Sequence, residues 1–129
     1  MADVTVKRVE EFEDIETLFG GSMRKARAGL GVSSFGMQVI DMEPHQDAYP
    51  EHDHAASGAE EVYVLMEGAA TLRAGGAEHR LEPGVMARVG PGEKRKLLTG
   101  PQRARILALG GTPGKAFEAP AFSVERQPG

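Results

Sequence analysis

The chain reads as an all-β protein, a sandwich or barrel of mostly antiparallel strands, and three observations carry that expectation. Its 129 residues include 17 glycines and 8 prolines. They recur at short intervals (Gly68, Gly75 with Gly76, Pro83 with Gly84, Gly90 to Gly92, Gly100 with Pro101), as turn punctuation does and as one long linker does not. Between them lie short runs rich in Val, Leu, Ile, Met and Tyr at residues 33–42, 61–67, 69–73, 85–89, 95–99 and 103–109. Strands spaced about 8–12 residues apart suit a two-sheet sandwich or a barrel.

Taken in order, residues 4–9 alternate as an edge strand would. A helical pattern competes over residues 9–19, where Val9, Phe12, Ile15, Glu16 and Phe19 give a partial 3–4 spacing. The basic stretch from Met23 to Arg27 reads as a polar surface element. In run 33–42, Phe35, Met37 and Val39 share one face, because successive side chains of a strand point to opposite sides. The same parity sets Glu61, Tyr63 and Leu65 on one face of the next run and Val62, Val64 and Met66 on the other. Run 69–73 followed by AGGAEHRL reads as a hairpin, since Gly75 and Gly76 accept the positive φ of a tight turn. Beyond Gly110 the tail holds Pro113, Pro120 and Pro128 and should cross the surface, with Phe117 and Phe122 as anchors.

Length and composition limit the function. A chain of 129 residues fits one compact domain. With 40% apolar and 26% charged residues it matches a soluble globular protein. A net charge of −4 is too small and of the wrong sign to draw a polyphosphate backbone, so no nucleic acid is expected as partner. The absence of cysteine excludes disulfides, thiolate metal sites and a cysteine nucleophile. The acidic start MADVTVKRVEEFEDIE lacks a signal-peptide core, and no stretch approaches the ~20 apolar residues that span a bilayer. No membrane partner and a cytoplasmic location are the expectations, with a small molecule as ligand or substrate.

The segment PEHDHAASGAEEVYVLMEG over residues 50–68 carries the chemistry. In extended chain His52 and His54 project to one side, so two imidazoles can face one ion, and Glu61 opens the following strand. This segment resembles the first motif of the cupins, G-x5-H-x-H-x3–4-E-x6-G. His52, His54, Glu61 and Gly68 match its second half. Two extra residues lengthen the loop after His54, and Gln46 stands at the first glycine. Counting back from Gly68 selects Glu61 over Glu60.

The second cupin motif, G-x5-P-x-G-x2-H-x3-N, resembles the stretch from Gly84 to Thr99, with Gly90, Pro91 and Gly92 in the turn. Arg95 stands where its metal histidine would be and Thr99 where its asparagine would be. The resemblance covers about residues 33–109. It implies a cupin-like antiparallel β-barrel (a jelly roll, or double-stranded β-helix) with short N- and C-terminal arms. It also implies a homodimer in which a terminal strand such as residues 4–9 pairs with the neighbouring barrel.

Three readings of the site stay open. Two histidines and one carboxylate suffice as ligands for iron, manganese, nickel or zinc, which would make the chain a metal-dependent oxygenase, isomerase or decarboxylase. In that reading Tyr63 or Arg95 positions an oxygen-rich substrate. The guanidinium of Arg95 is always charged, though, and at ~4–5 Å would repel a dication. In the second reading Arg95 therefore presents its fork to an anionic ligand in a metal-free binding or sensing pocket. In the third, Arg95 forms a structural pair with Glu61 or Glu60. No catalytic acid or base follows from the sequence. His45 and His79 sit beside turns and read as solvated, and the basic run from Lys94 to Lys96 reads as a strand edge protected from aggregation.

Overall fold

The computed structural model describes residues 2–15 and 21–125. Its strands are β1 (Asp14–Ile15), β2 (Gly21–Arg24), β3 (Gly36–Met42), β4 (Glu60–Gly68), β5 (Ala70–Ala74), β6 (Ala77–Leu81), β7 (Met86–Val89), β8 (Arg95–Leu98) and β9 (Ala104–Gly111). One short helix, α1 (Ala26–Leu30), follows β2. It is far too short to cross a membrane, and no helix among the described residues is long and apolar enough to do so. The strands form a six-stranded sheet in the order β1-β2-β3-β9-β4-β7 and a three-stranded sheet in the order β6-β5-β8, and every pairing is antiparallel. The expected all-β architecture is therefore present.

One apolar core lies between the sheets. Ile40, Met42, Tyr63, Leu65 and Ile106 enter it from the larger sheet, Leu72, Leu81 and Leu97 from the smaller. Period-2 alternation explains which residues these are. In β4, Tyr63 and Leu65 are buried while Val62 and Val64 are only half-buried. In β9, Ala104, Ile106 and Ala108 turn inward. A smaller cluster of Phe12, Ala26 and Val39 covers the outer face of β3, with Met37 and Leu107 against it. That is where the face shared by Met37 and Val39 goes; Phe35 precedes the strand and is exposed.

Three glycines are fixed by the backbone. Gly75 and Gly76 take φ of 63° and 74° and close the β5–β6 hairpin in two residues. Gly68 has φ 77°, and a Cβ there would lie 1.8 Å from the carbonyl oxygen of Arg103. It lets β4 turn into β5 against the start of β9.

The N-terminal expectations need correction. Over residues 9–15 the chain forms a 3-10 turn at Val9–Glu11 and then β1, so no α-helix begins there, and residues 16–19 of the expected helix lie outside the described residues. The pattern misled because Phe12, which set its spacing, is buried as a single plug against Gly29 rather than as part of a helical stripe. Among the described residues, 2–8 pair with no strand, and Val4 and Val6 are exposed.

Candidate metal and ligand site

The site lies at the rim of the larger sheet, where β3 and β4 begin and β9 ends; Gly36 and Glu61 both pair with Gly110 there. His52 and His54 precede β4 on an extended segment held by the stretch that leads into β8. The His52 amide donates to Arg95 O at 3.1 Å, the Arg95 amide donates to His52 O at 2.8 Å, and the His54 amide donates to Pro91 O at 2.9 Å. This pairing is local, a single bridge between His52 and Arg95. After His54 the chain turns, with the Gly58 amide donating to His54 O at 2.8 Å, and re-enters the sheet at Glu60. The longer loop is accommodated in that turn.

The three residues expected as metal ligands come together. One side-chain ligand atom from each of His52, His54 and Glu61 lies within 4.8 Å of the other two. The imidazole rings stand 5.0 Å apart, edge to face. His52 Nδ1 lies 3.0 Å from Pro50 O. A carbonyl only accepts, so Nδ1 carries the proton and Nε2 of the neutral ring keeps a lone pair for an ion. Glu60 is not part of this group: its carboxylate accepts from Arg88 Nε at 2.8 Å.

Arg95 is completely buried. Its Nη1 donates to Glu61 Oε1 at 2.9 Å. The other donors engage main-chain oxygens: Nε reaches Glu93 O at 3.1 Å, while Nη2 reaches Gly90 O at 2.8 Å and Glu93 O at 2.9 Å. These carbonyls belong to the Gly90–Glu93 turn, so the arginine binds that turn to the start of β4. Tyr63 is also fully buried, and its hydroxyl donates to the same Glu61 oxygen. Tyr49 is buried beside it, its hydroxyl within reach of the Tyr63 hydroxyl. Burial first, and then the neighbouring phenol and the Glu61 charge, push the Tyr63 hydroxyl far above the ordinary phenol range. Burial followed by the Glu61 charge does the same to Tyr49.

Glu61 therefore has two sides. The Arg95 and Tyr63 bonds both fall on Oε1, and His54 Nε2 stands 3.5 Å from that atom. They do not compete for Oε2. Toward solvent, His54 and Glu61 line a cavity of about 790 Å³ whose other walls include Arg27, Gly36, Glu60, Gly110 and the arm beyond β9. Arg95, Tyr63 and His52 do not line it. Sequence reasoning named the triad but missed this arm as part of the site; the aromatic residues in the proline-spaced tail were its only signal.

The likeness to solved structures is in the fold. A sugar phosphate isomerase from a cupin superfamily, of Silicibacter pomeroyi, superposes with a TM-score of 0.71 at 23% identity, over 84% of this chain and 77% of that one. The polyketide cyclase RemF of Streptomyces resistomycificus gives 0.67 at 17% identity, over 92% and 89% of the two chains. A cupin protein of Bacteroides fragilis gives 0.65 at 17% identity, over 98% and 99%. The chain thus has the cupin fold. No protein-family model matches the sequence, and neither does any curated protein.

Proposed function

We propose that this chain holds a divalent transition metal between His52, His54 and Glu61 and acts there on a small oxygen-rich molecule entering through the cavity. The observation that carries the reading is the convergence of the three ligand atoms within 4.8 Å. Two imidazoles and a carboxylate suit iron, manganese, nickel or zinc. Such an ion supplies a Lewis acid or, for iron, an oxygen-activating centre. Structural neighbours that include an isomerase and a cyclase agree with small-molecule chemistry on this fold, without fixing the reaction.

The chain's own residues prepare the site. The Pro50 carbonyl sets the His52 tautomer. Arg95 and Tyr63 hold Glu61 by one oxygen and so orient the other. Both are fully buried, so in this reading they reach a substrate through Glu61.

A second reading has its own observation: Arg95 already cancels the Glu61 charge with no ion needed. The cavity would then serve as a metal-free pocket for an anionic molecule. Elemental analysis of untagged protein, purified without chelators, separates the two. Near-stoichiometric metal that disappears in the double variant His52→Ala, His54→Ala supports the metal site, and metal content unchanged by the double variant rejects it at these residues. Arg95→His run alongside is informative because residue 95 directly opposes His52, and opposed side chains share a face. Metal present only in that variant would favour the metal-free pocket.

A further inference from the structure

The cavity is larger than a three-residue ion site requires. Its volume of about 790 Å³ falls in the ~300–1,000 Å³ of pockets that enclose whole organic molecules. Away from His54 and Glu61 its wall changes character. Gly36, Gly110 and Gly111 present bare backbone, and Phe117 and Phe122 line the cavity from the C-terminal arm. Phe122, on the 3-10 turn Ala121–Ser123, is 53% exposed while lining the cavity, so a large apolar surface is left for a ligand to cover.

The arm is fixed in place. Lys25 Nζ donates to Val124 O at 2.8 Å, and Arg27 donates to Ser123 O at 3.3 Å. Phe117 lies against Gly36, its ring 3.3 Å from where a Cβ would stand, and 5.7 Å from the Arg27 guanidinium carbon. A side chain at residue 36 would displace that ring.

Charge in the cavity favours an anion. Of its carboxylates, Glu61 is paired with Arg95 and Glu60 with Arg88. Arg27 donates to the neutral carbonyls of Val32 and Ser123, and among the described residues no carboxylate pairs with it. Among the described residues Lys115 and Glu118, which also line the cavity, form no ion pair. Arg27 and Lys115 against Glu118 leave an excess of one positive charge, which draws an anion into the cavity without fixing where in it the charge sits.

We propose that the C-terminal arm builds a second half of the binding site, an apolar subsite bounded by Phe117 and Phe122. The ligand class is an organic acid with an aromatic or similarly apolar body, its anionic oxygen toward His54 and Glu61 and its body against the two rings. The position of the anionic end rests on the metal-site reading above; the apolar subsite does not.

The test titrates acetate, benzoate and 2-naphthoate into the full chain, loaded with zinc and metal-free. The protein contains no tryptophan, so naphthoate emission is read against little background. Burial of the larger body should make naphthoate bind at least about tenfold more tightly than acetate. Phe117→Ala and Phe122→Ala should each weaken naphthoate about fivefold or more, leaving acetate affinity and zinc content unchanged. Phe122 is half exposed, so its variant carries the test if Phe117→Ala fails to fold. Naphthoate no tighter than acetate, or an equal loss for both acids in the variants, overturns the subsite. If zinc does not bind while naphthoate remains preferred and dependent on the rings, the subsite stands and the metal reading falls. Zinc binding without any preference for naphthoate means the reverse.

Discussion

Replacing Arg95 with leucine gives the most direct test of how the buried side of the site is held. The arginine side chain has no exposed surface, and its Glu61 partner keeps 17% exposure. Leucine removes the bond to Glu61 at 2.9 Å together with the bonds to Gly90 O and Glu93 O. Breaking a buried ion pair by deleting one partner costs about 3–5 kcal/mol, because the other charge is left uncompensated. Water reaches Glu61 through the cavity, and the carbonyl of the exposed Glu93 can rehydrate, so the lower end, about 3 kcal/mol, is expected. For a domain of this size that lowers Tm by about 10 °C or more. Urea unfolding followed by circular dichroism, without added metal, measures the loss. Adding Glu61→Gln to Arg95→Leu removes the stranded charge and should recover about 1–2 kcal/mol. An Arg95→Leu protein within about 0.5 kcal/mol of the unmodified chain, or a double variant no more stable than the single, would refute this account of Arg95.

Two further perturbations probe the frame around the site. Gly68→Ala would place a Cβ 1.8 Å from Arg103 O at a φ of 77°, whereas Gly75→Ala, at φ 63°, meets nothing within 4 Å. The hairpin variant should cost only about 1–2 kcal/mol, and Gly68→Ala clearly more because backbone must move; equal midpoints in urea for the two variants would contradict the clash. The chain's two tyrosines are both buried, and both hydroxyls are pushed above the ordinary phenol range, chiefly by burial. A raised folded-state pKa means stability present in full below the unfolded value of about 10 and lost as pH rises past it. Tyrosinate absorbance should therefore appear in one step with loss of the circular dichroism signal, and a separate tyrosinate step in still-folded protein near pH 10 would show the burial to be wrong.

The parts of the fold written in period 2 were legible from the sequence. β4, β5 and β7 to β9 follow the apolar runs, and the parity of Glu61, Tyr63 and Leu65 holds in space. The hairpin was legible because Gly75 and Gly76 have a conformational reason to be there. Residues 9–15 were misread because one buried aromatic, Phe12, imitated a helical spacing that its neighbours do not continue. The grouping of His52, His54 and Glu61 was also legible, since side-chain alternation and the spacing back from Gly68 both depend on local geometry. The direction of the Arg95 side chain was not. It depends on carbonyls of the Gly90–Glu93 turn, whose positions are set by tertiary structure. The contribution of the C-terminal arm was hidden for a similar reason: its anchors, Lys25 and Arg27, lie in a basic stretch that resembles ordinary solvated surface.

The burial pattern divides the site into two halves that different mutations should separate. Behind Glu61 stand Arg95, Tyr63 and Tyr49, closed from solvent, with Arg95 and Tyr63 joined through one carboxylate oxygen. Changes there lose buried hydrogen bonds, so their first effect is on stability. In front stand His54, the rest of Glu61 and the aromatic wall of the arm, all lining the cavity. Changes at His54 or at the exposed Phe122 remove little packing and act first on what binds. Arg95 occupies the place of a metal histidine in the motif the sequence resembles, yet its donors are engaged with Glu61 and the turn carbonyls. In the metal reading its consequence is electrostatic: with the Glu61 charge already balanced, an ion meets an almost neutral donor set and depends more on the two imidazoles. Such a set favours nitrogen-preferring ions such as nickel and zinc over manganese, whose affinity for mixed nitrogen and oxygen sites is lower to begin with.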